Sequence, residues 1–340
     1  MPPARYTKAA RVGGQDVSGV GDPRRVFQEF ADGATIVLQG LQRYWPPLID
    51  FCRQLEIDLT FPVQANAYVT PPGAQGLAVH YDTHDVFVLQ VAGSKEWELY
   101  DPVFPDPLPS QPWASRKGDP GPVTLAVRLT AGDFLYLPRG FLHSARAQTD
   151  LSAHLTIGIH AETRHDVLRH VTGGAAESAA FRRSLPPGYA SDEEGLAKEV
   201  EMAIADLRSW LDTVDARQAA AAAVRRFWAG RTPILPGQLS AMLALPHLHD
   251  GTRLRRRPGS VCHLTARDGA LHVHLGQREL RMPAALEPAV RRIAATAHAP
   301  DAAPAAMTPG DLADLMDEPS RLVLARRLVR EGLLELAPDE

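Results

Sequence analysis

Within HYDTHDVFVLQVAGSKEW (80–97), His80 and Asp82 stand two residues apart, ahead of an apolar run that ends at Gly93-Ser94-Lys95. On an extended chain, residues i and i+2 share a face, so this imidazole and carboxylate can reach one cation together. A third ligand has to come from another element. His143, at the end of GDFLYLPRGFLH (132–143), is the best candidate, because it follows a Gly-Asp turn, a short strand and a Pro-Arg-Gly turn. Two histidines and one carboxylate on one face of an octahedral ion leave three positions open, as in mononuclear non-haem Fe(II) sites. His-x-Asp alone is common by chance. His-x-Asp with GDxxxxPxGxxH about sixty residues later is specific.

The elements that must hold these groups are short strands. ATIVLQ (34–39), QANAYVT (64–70), GLAVHYD (76–82), VFVLQV (86–91), EWELY (96–100), VTLAVRL (123–129), FLYLP (134–138) and AHLTIGIH (153–160) are the candidates, separated by Gly, Pro and Asp turns. Many short strands at close spacing suggest a barrel or double-sheet roll. LQRYWPPLIDFCRQLEIDL (41–59) reads as an amphipathic helix with Pro46 and Pro47 in its first turn. Parity places Asn66, Tyr68 and Thr70 on one strand face, and His154 and Thr156 on another, each opposite apolar residues. These polar faces hold almost no Lys or Glu, unlike a solvated sheet face. They suit the lining of a site for a polar ligand.

Composition bounds the rest. The chain has 340 residues, 45% apolar and 22% charged, with a net charge of −4 and two cysteines. That describes a globular protein without a disulfide framework, and a reducing cytoplasm is expected. The first residues have no apolar signal core, no run is long enough to cross a membrane, and no membrane partner is expected. Three textures follow one another: mixed strands over 1–163, a helical segment over 164–232, and helices around a β-hairpin over 233–340. In the second, a capping box at Ser191–Glu194 introduces a stripe of Leu196, Val200, Ile204, Leu207, Leu211 and Val214, whose burial against a partner or against its own chain is open. In the third, the hairpin turns at Asp268-Gly269, an arrangement that suggests a winged helix, and an Ala/Pro linker follows near 299–306. His272 and His274 on that hairpin are read as surface residues.

The stretches GATIVLQGLQRYWPPL, QANAYVTPPGAQGLAVHYDTHDVFVLQVAGSKEWELYDP and GDFLYLPRGFLHSA resemble the JmjC-type (cupin-4) 2-oxoglutarate oxygenases, specifically the ribosomal-oxygenase branch, over most of 34–160. The resemblance implies an α+β chain: a double-stranded β-helix barrel, a helical dimerisation domain and a winged-helix-like C-terminal domain. It implies Fe(II) on His80, Asp82 and His143, with 2-oxoglutarate and O2 as cosubstrates. Lys95 takes the place of the family's basic residue for the distal carboxylate of 2-oxoglutarate, and Asn66, Tyr68 and Thr156 match positions that line its pocket. Without the resemblance, Lys95 reads as a surface lysine at a strand edge.

The implied activity is hydroxylation of a protein or peptide side chain, as on Arg or His of ribosomal proteins, by a homodimer. Alternatives are a demethylase of the histone type, a tailoring hydroxylase acting on a biosynthetic peptide, a metal-binding cupin without oxidation, and a DNA-associated regulator. From 233 to 340 there are 13 Arg, no Lys and 13 Asp plus Glu, so the basic footprint of a nucleic-acid reader is missing and direct nucleic-acid binding is not expected. The barrel mouth is expected beside Tyr81, His84 and Arg139. The Pro-rich loop 101–122, anchored by Trp113, is expected to form the wall of a peptide groove. His154 is read as a hydrogen-bonding neighbour of the pocket rather than a ligand.

Overall fold

The computed structural model describes residues 7–12, 15–115, 118–233, 235–295 and 306–337, in two units, Met1–Ala161 and Glu162–Glu340. In the first unit, β1 (Thr7–Val12) and β2 (Gln15–Gly21) pair antiparallel ahead of helix α1 (Pro23–Ala31), whose first turn is capped by Asp22. Then come β3 (Ile36–Leu38), α2 (Pro46–Leu59), β4 (Val63–Thr70), β5 (Asp85–Ala92), β6 (Ser94–Tyr100), β7 (Val123–Thr130), β8 (Phe134–Leu137), β9 (Leu142–Ala147) and β10 (Ser152–Ile159). Pro46 and Pro47 occupy the first turn of α2, where the missing N–H groups would have no helical acceptor.

Two antiparallel sheets result, one ordered β3-β4-β10-β5-β8 and one ordered β7-β6-β9. Helix α2 packs Leu48 and Cys52 against Val63, Ala65, Ile157 and Ile159 on one face of the larger sheet. The opposite face of β4 and β10 carries Tyr68, His154 and Thr156, with His154 opposite Tyr68 and Thr156 opposite Asn66. Val86, Val88 and Leu137 of the larger sheet form one buried cluster with Trp97, Leu99 and Leu129 of the smaller. The strand parities expected for 64–70 and 153–160 hold.

Two expectations need correction. No strand forms over 76–82; that segment makes one isolated bridge, His80 with His143, and the preceding Gln75 makes another with Arg146. Without a ladder there, no closed barrel exists among the described residues, and the two sheets remain separate. The strand β9, which carries His143, went unread because its sequence LHSARA lacks a run of β-branched residues.

In the second unit, α3 (Arg164–Gly173), α4 (Glu193–Leu211), α5 (Ala216–Ala229) and α6 (Gln238–Ala244) precede β11 (Leu254–Arg256), β12 (His263–Arg267), β13 (Ala270–Leu275) and β14 (Arg278–Pro283). Helices α7 (Glu287–Ala295) and α8 (Glu318–Arg330) follow, and β15 (Leu334–Leu336) pairs with β11. Helix α4 is capped by Asp192, which accepts from the Gly195 N–H, rather than by Ser191, so the expected box is shifted by one residue. The hairpin turn at Asp268-Gly269 forms with both residues at positive φ, and β14 adds a third strand. His272 and His274 are buried, not at the surface: β13 is the middle strand, and Glu279 of β14 engages both imidazoles. The expected linker at 299–306 lies, as far as 305, outside the described residues.

Candidate active site

His80 and His143 come together through their own backbones. The His80 N–H donates to the His143 carbonyl (3.1 Å) and the His143 N–H donates back to His80 (2.8 Å), a reciprocal antiparallel pair that sets their rings 4.4 Å apart. The turn before β9 adds Asp82. Gly140 donates its N–H to the Asp82 carbonyl (3.0 Å), and the Arg139 N–H donates to the Asp85 carboxylate (2.8 Å). Gly140 has φ +88°, and a Cβ there would lie 2.8 Å from both the Phe104 carbonyl and Pro107, so only glycine fits.

The ligand atoms of His80, Asp82 and His143 all lie within 4.8 Å of one another. His80 Nδ1 is 2.8 Å from the Ala78 carbonyl, and His143 Nδ1 is 3.1 Å from the Phe141 carbonyl. A carbonyl only accepts, so both Nδ1 atoms carry the proton and both Nε2 atoms present lone pairs. Burial, with His80 next in weight, pushes His143 down to about 4, which keeps it neutral at pH 7. His143 Nε2 and Asp82 Oδ2 are 3.8 Å apart, too far for a hydrogen bond. Ligands at right angles on one ion stand about 3 Å apart, so a small closure brings this donor set onto a divalent cation. Three converging acceptors with no donor between them fit such an ion.

Beside the ligands lies a cavity of about 100 Å³, into which Tyr68, His154 and Thr156 face from the larger sheet and Lys95 and Trp97 from the smaller. Lys95 is 2% exposed. Its Nζ donates to the Thr70 hydroxyl (2.8 Å), which contacts the Thr35 hydroxyl (3.0 Å), and it lies 3.4 Å from His154 Nδ1. No carboxylate of the described residues pairs with it, and burial lowers its pKa to about 8. His154 stacks on Tyr68 (4.9 Å) and is itself pushed down to about 3, by burial and then by the Lys95 charge. The turn that aims Lys95 inward rests on Gly93, at φ +60°, where a Cβ would lie 2.0 Å from the Leu151 carbonyl. Thr35 and Thr70 were not singled out as site residues. Strand parity with Tyr68 pointed to Thr70, whereas nothing in the sequence pointed to Thr35.

The remaining expected residues are not among those lining the cavity. Asn66 is not among the residues lining it: its Oδ1 accepts from the Gly40 N–H (3.0 Å) and from Gln64 (3.1 Å). Tyr81 is 3% exposed, with its hydroxyl donating to the Gln111 carbonyl and its ring edge-on to Trp113, so it anchors the 101–122 loop. His84 stacks on His160 (4.6 Å), and Arg139 pairs with Asp106 of the loop (3.4 Å).

Residues 42–167 match the JmjC domain model. The bifunctional lysine-specific demethylase and histidyl-hydroxylase NO66 of Dictyostelium discoideum is 36% identical over 179 residues, covering 49% of this chain and 34% of that protein. Ribosomal oxygenase 2 of Mus musculus is 34% identical over 193 residues, covering 54% and 41%. The chain thus spans under half the length of these curated relatives. Among solved structures, the Escherichia coli ribosomal oxygenase YcfD is similar at a TM-score of 0.54 with 16% identity, covering 98% of this chain and 86% of that one. A second structure of it, in complex with cobalt and 2-oxoglutarate, gives a TM-score of 0.51. That likeness shows a JmjC/cupin fold of mixed helix and sheet, and the segment 42–167, which contains His80, Asp82, Lys95 and His143, is the part that matches the JmjC domain.

Proposed function

We propose that this protein is an Fe(II)- and 2-oxoglutarate-dependent oxygenase that hydroxylates a side chain of a protein, with an Arg or His of a ribosomal protein as the favoured target. The observation that carries the reading is Lys95: a buried ammonium without a carboxylate partner among the described residues, facing the same cavity as two histidines and an aspartate. A cation left in that state calls for an anionic ligand, and a dicarboxylate that chelates a metal at its other end supplies one.

In this reading His80 Nε2, an Asp82 oxygen and His143 Nε2 hold the iron, which with 2-oxoglutarate supplies O2 activation with release of succinate and CO2. Lys95 and the Thr70 hydroxyl bind the distal carboxylate. Tyr68 and Thr156 line the pocket, and Asn66, beside Tyr68 on β4, holds the Gly40 backbone next to it. His84 and Arg139 stand at the mouth, and Arg139 ties the 101–122 loop in place as a wall for the peptide. The names of the relatives support a ribosomal-protein substrate and leave demethylation as the second outcome.

The same reading divides the chain into a catalytic domain (1–163) with the double-stranded β-helix topology, a helical dimerisation domain (164–232) and a winged-helix-like domain (233–340). It places the homodimer in the cytoplasm, in keeping with two free cysteines. The near-neutral C-terminal domain recruits substrate or stabilises the fold rather than reading DNA.

Incubation with a ribosomal-protein extract, Fe(II), 2-oxoglutarate and labelled O2, followed by mass spectrometry, tests the assignment. A protein side chain gaining one labelled oxygen is expected. Loss of a methyl group would favour demethylation, and label in a small metabolite alone would refute a protein substrate.

A further inference from the structure

Strand β14 has one hydrogen-bonded neighbour, β13; among the described residues nothing pairs with its other edge. That edge borders a groove of about 680 Å³ whose far wall is one face of α8. Ser320, Val323, Leu324 and Arg327 line it at helical spacing, and Val323 is 65% exposed. Charged edge residues often serve only to blunt a strand. Here, however, the open backbone lies next to an exposed apolar wall, which a blunted edge does not need.

The charge around the groove is positive. Arg281 is exposed and has no ion-pair partner among the described residues. Arg278 (2.7 Å) and Arg327 (3.0 Å) share the single carboxylate of Glu331. The groove's own acid, Glu279, is engaged by Arg267 (2.7 Å) and by His272. We propose that this groove docks an extended segment of a partner protein carrying alternating apolar and acidic side chains. Its backbone adds a strand to β14, its apolar side chains cover Val323 on the α8 side, and its acids, on the opposite face, meet Arg281. The six residues of β14 set the length of the paired segment.

The test uses the full chain and a labelled peptide of alternating valine and glutamate, followed by fluorescence anisotropy. Saturable binding is expected. It should weaken by about tenfold or more in Arg281→Glu, whose side chain is exposed and whose fold is therefore spared. It should also weaken in Val323→Asp, with lysine in place of glutamate in the peptide, and when alternate peptide nitrogens are methylated so that strand pairing fails. Equal binding of the methylated peptide would overturn strand addition. Indifference to Arg281→Glu, or no saturable binding, would overturn the proposal outright. Self-association of the protein abolished by Val323→Asp would assign the groove to a second copy and overturn it as well.

Discussion

Lys95 carries two predictions at the scale of single residues. Replacing it with alanine removes a charge-assisted contact, which typically costs about 1.5–3 kcal/mol, so 2-oxoglutarate affinity should fall roughly ten- to a hundredfold. Metal affinity should barely change, because the proposed donors are His80, Asp82 and His143. Calorimetric titration of each ligand separates the two effects, and equal cosubstrate affinity in mutant and wild type would move the carboxylate to another cation. The second prediction concerns pH. Burial lowers the folded-state pKa of Lys95 to about 8 from 10.5, so between those values the unfolded chain binds the extra proton. This group's contribution to stability therefore rises with pH across that window. Cosubstrate binding needs the ammonium, so affinity should instead decline as pH climbs above about 8, with uptake of a proton on binding. A flat affinity from pH 7 to 9.5 would contradict that assignment.

Among the elements, the turn from Pro138 to Phe141 has the most to hold: its Gly140 N–H fixes Asp82 and its close approach to Phe104 seats the loop. Gly140→Ala forces a side chain into left-handed backbone space and against that carbonyl. A loss of about 1–3 kcal/mol is expected from denaturant unfolding, together with weaker metal binding. Unchanged metal affinity would show that Asp82 is positioned independently of the turn. The strand parities of 64–70 and 153–160 were legible because alternation with few long charged residues marks a lined, enclosed face. The segment 76–82 was misread because alternation reports which residues share a face, not whether a ladder of hydrogen bonds exists. His80 and His143 are joined by a single bridge, a tertiary fact that local pattern does not carry. Tyr81, expected at the mouth from its place beside His80, instead packs inward on Trp113, because its parity is opposite to that of the ligands.

For the whole molecule, the clustering of His80, Asp82 and His143 was legible in the sequence and the assembly was not. Helix α4 spans 19 residues without a buried one and exposes on one face Val200 (49%), Ile204 (45%) and Leu211 (38%). An apolar face of that kind favours association, and a dimer is expected by light scattering at micromolar concentration, with Ile204→Asp shifting it to monomer. A wild-type monomer would assign the stripe to intrachain contacts. His272 and His274 were misplaced for a related reason: a hairpin's two-strand pattern gives no sign of the third strand that buries them. The central claim is that His80, Asp82, His143 and Lys95 form one Fe(II) and 2-oxoglutarate site. Succinate formation from 2-oxoglutarate tests it most directly, measured with and without Fe(II) in the wild type and in Asp82→Ala. Fe(II)-dependent turnover abolished by the substitution is the predicted result; no Fe(II)-dependent turnover, or turnover indifferent to Asp82, would contradict it.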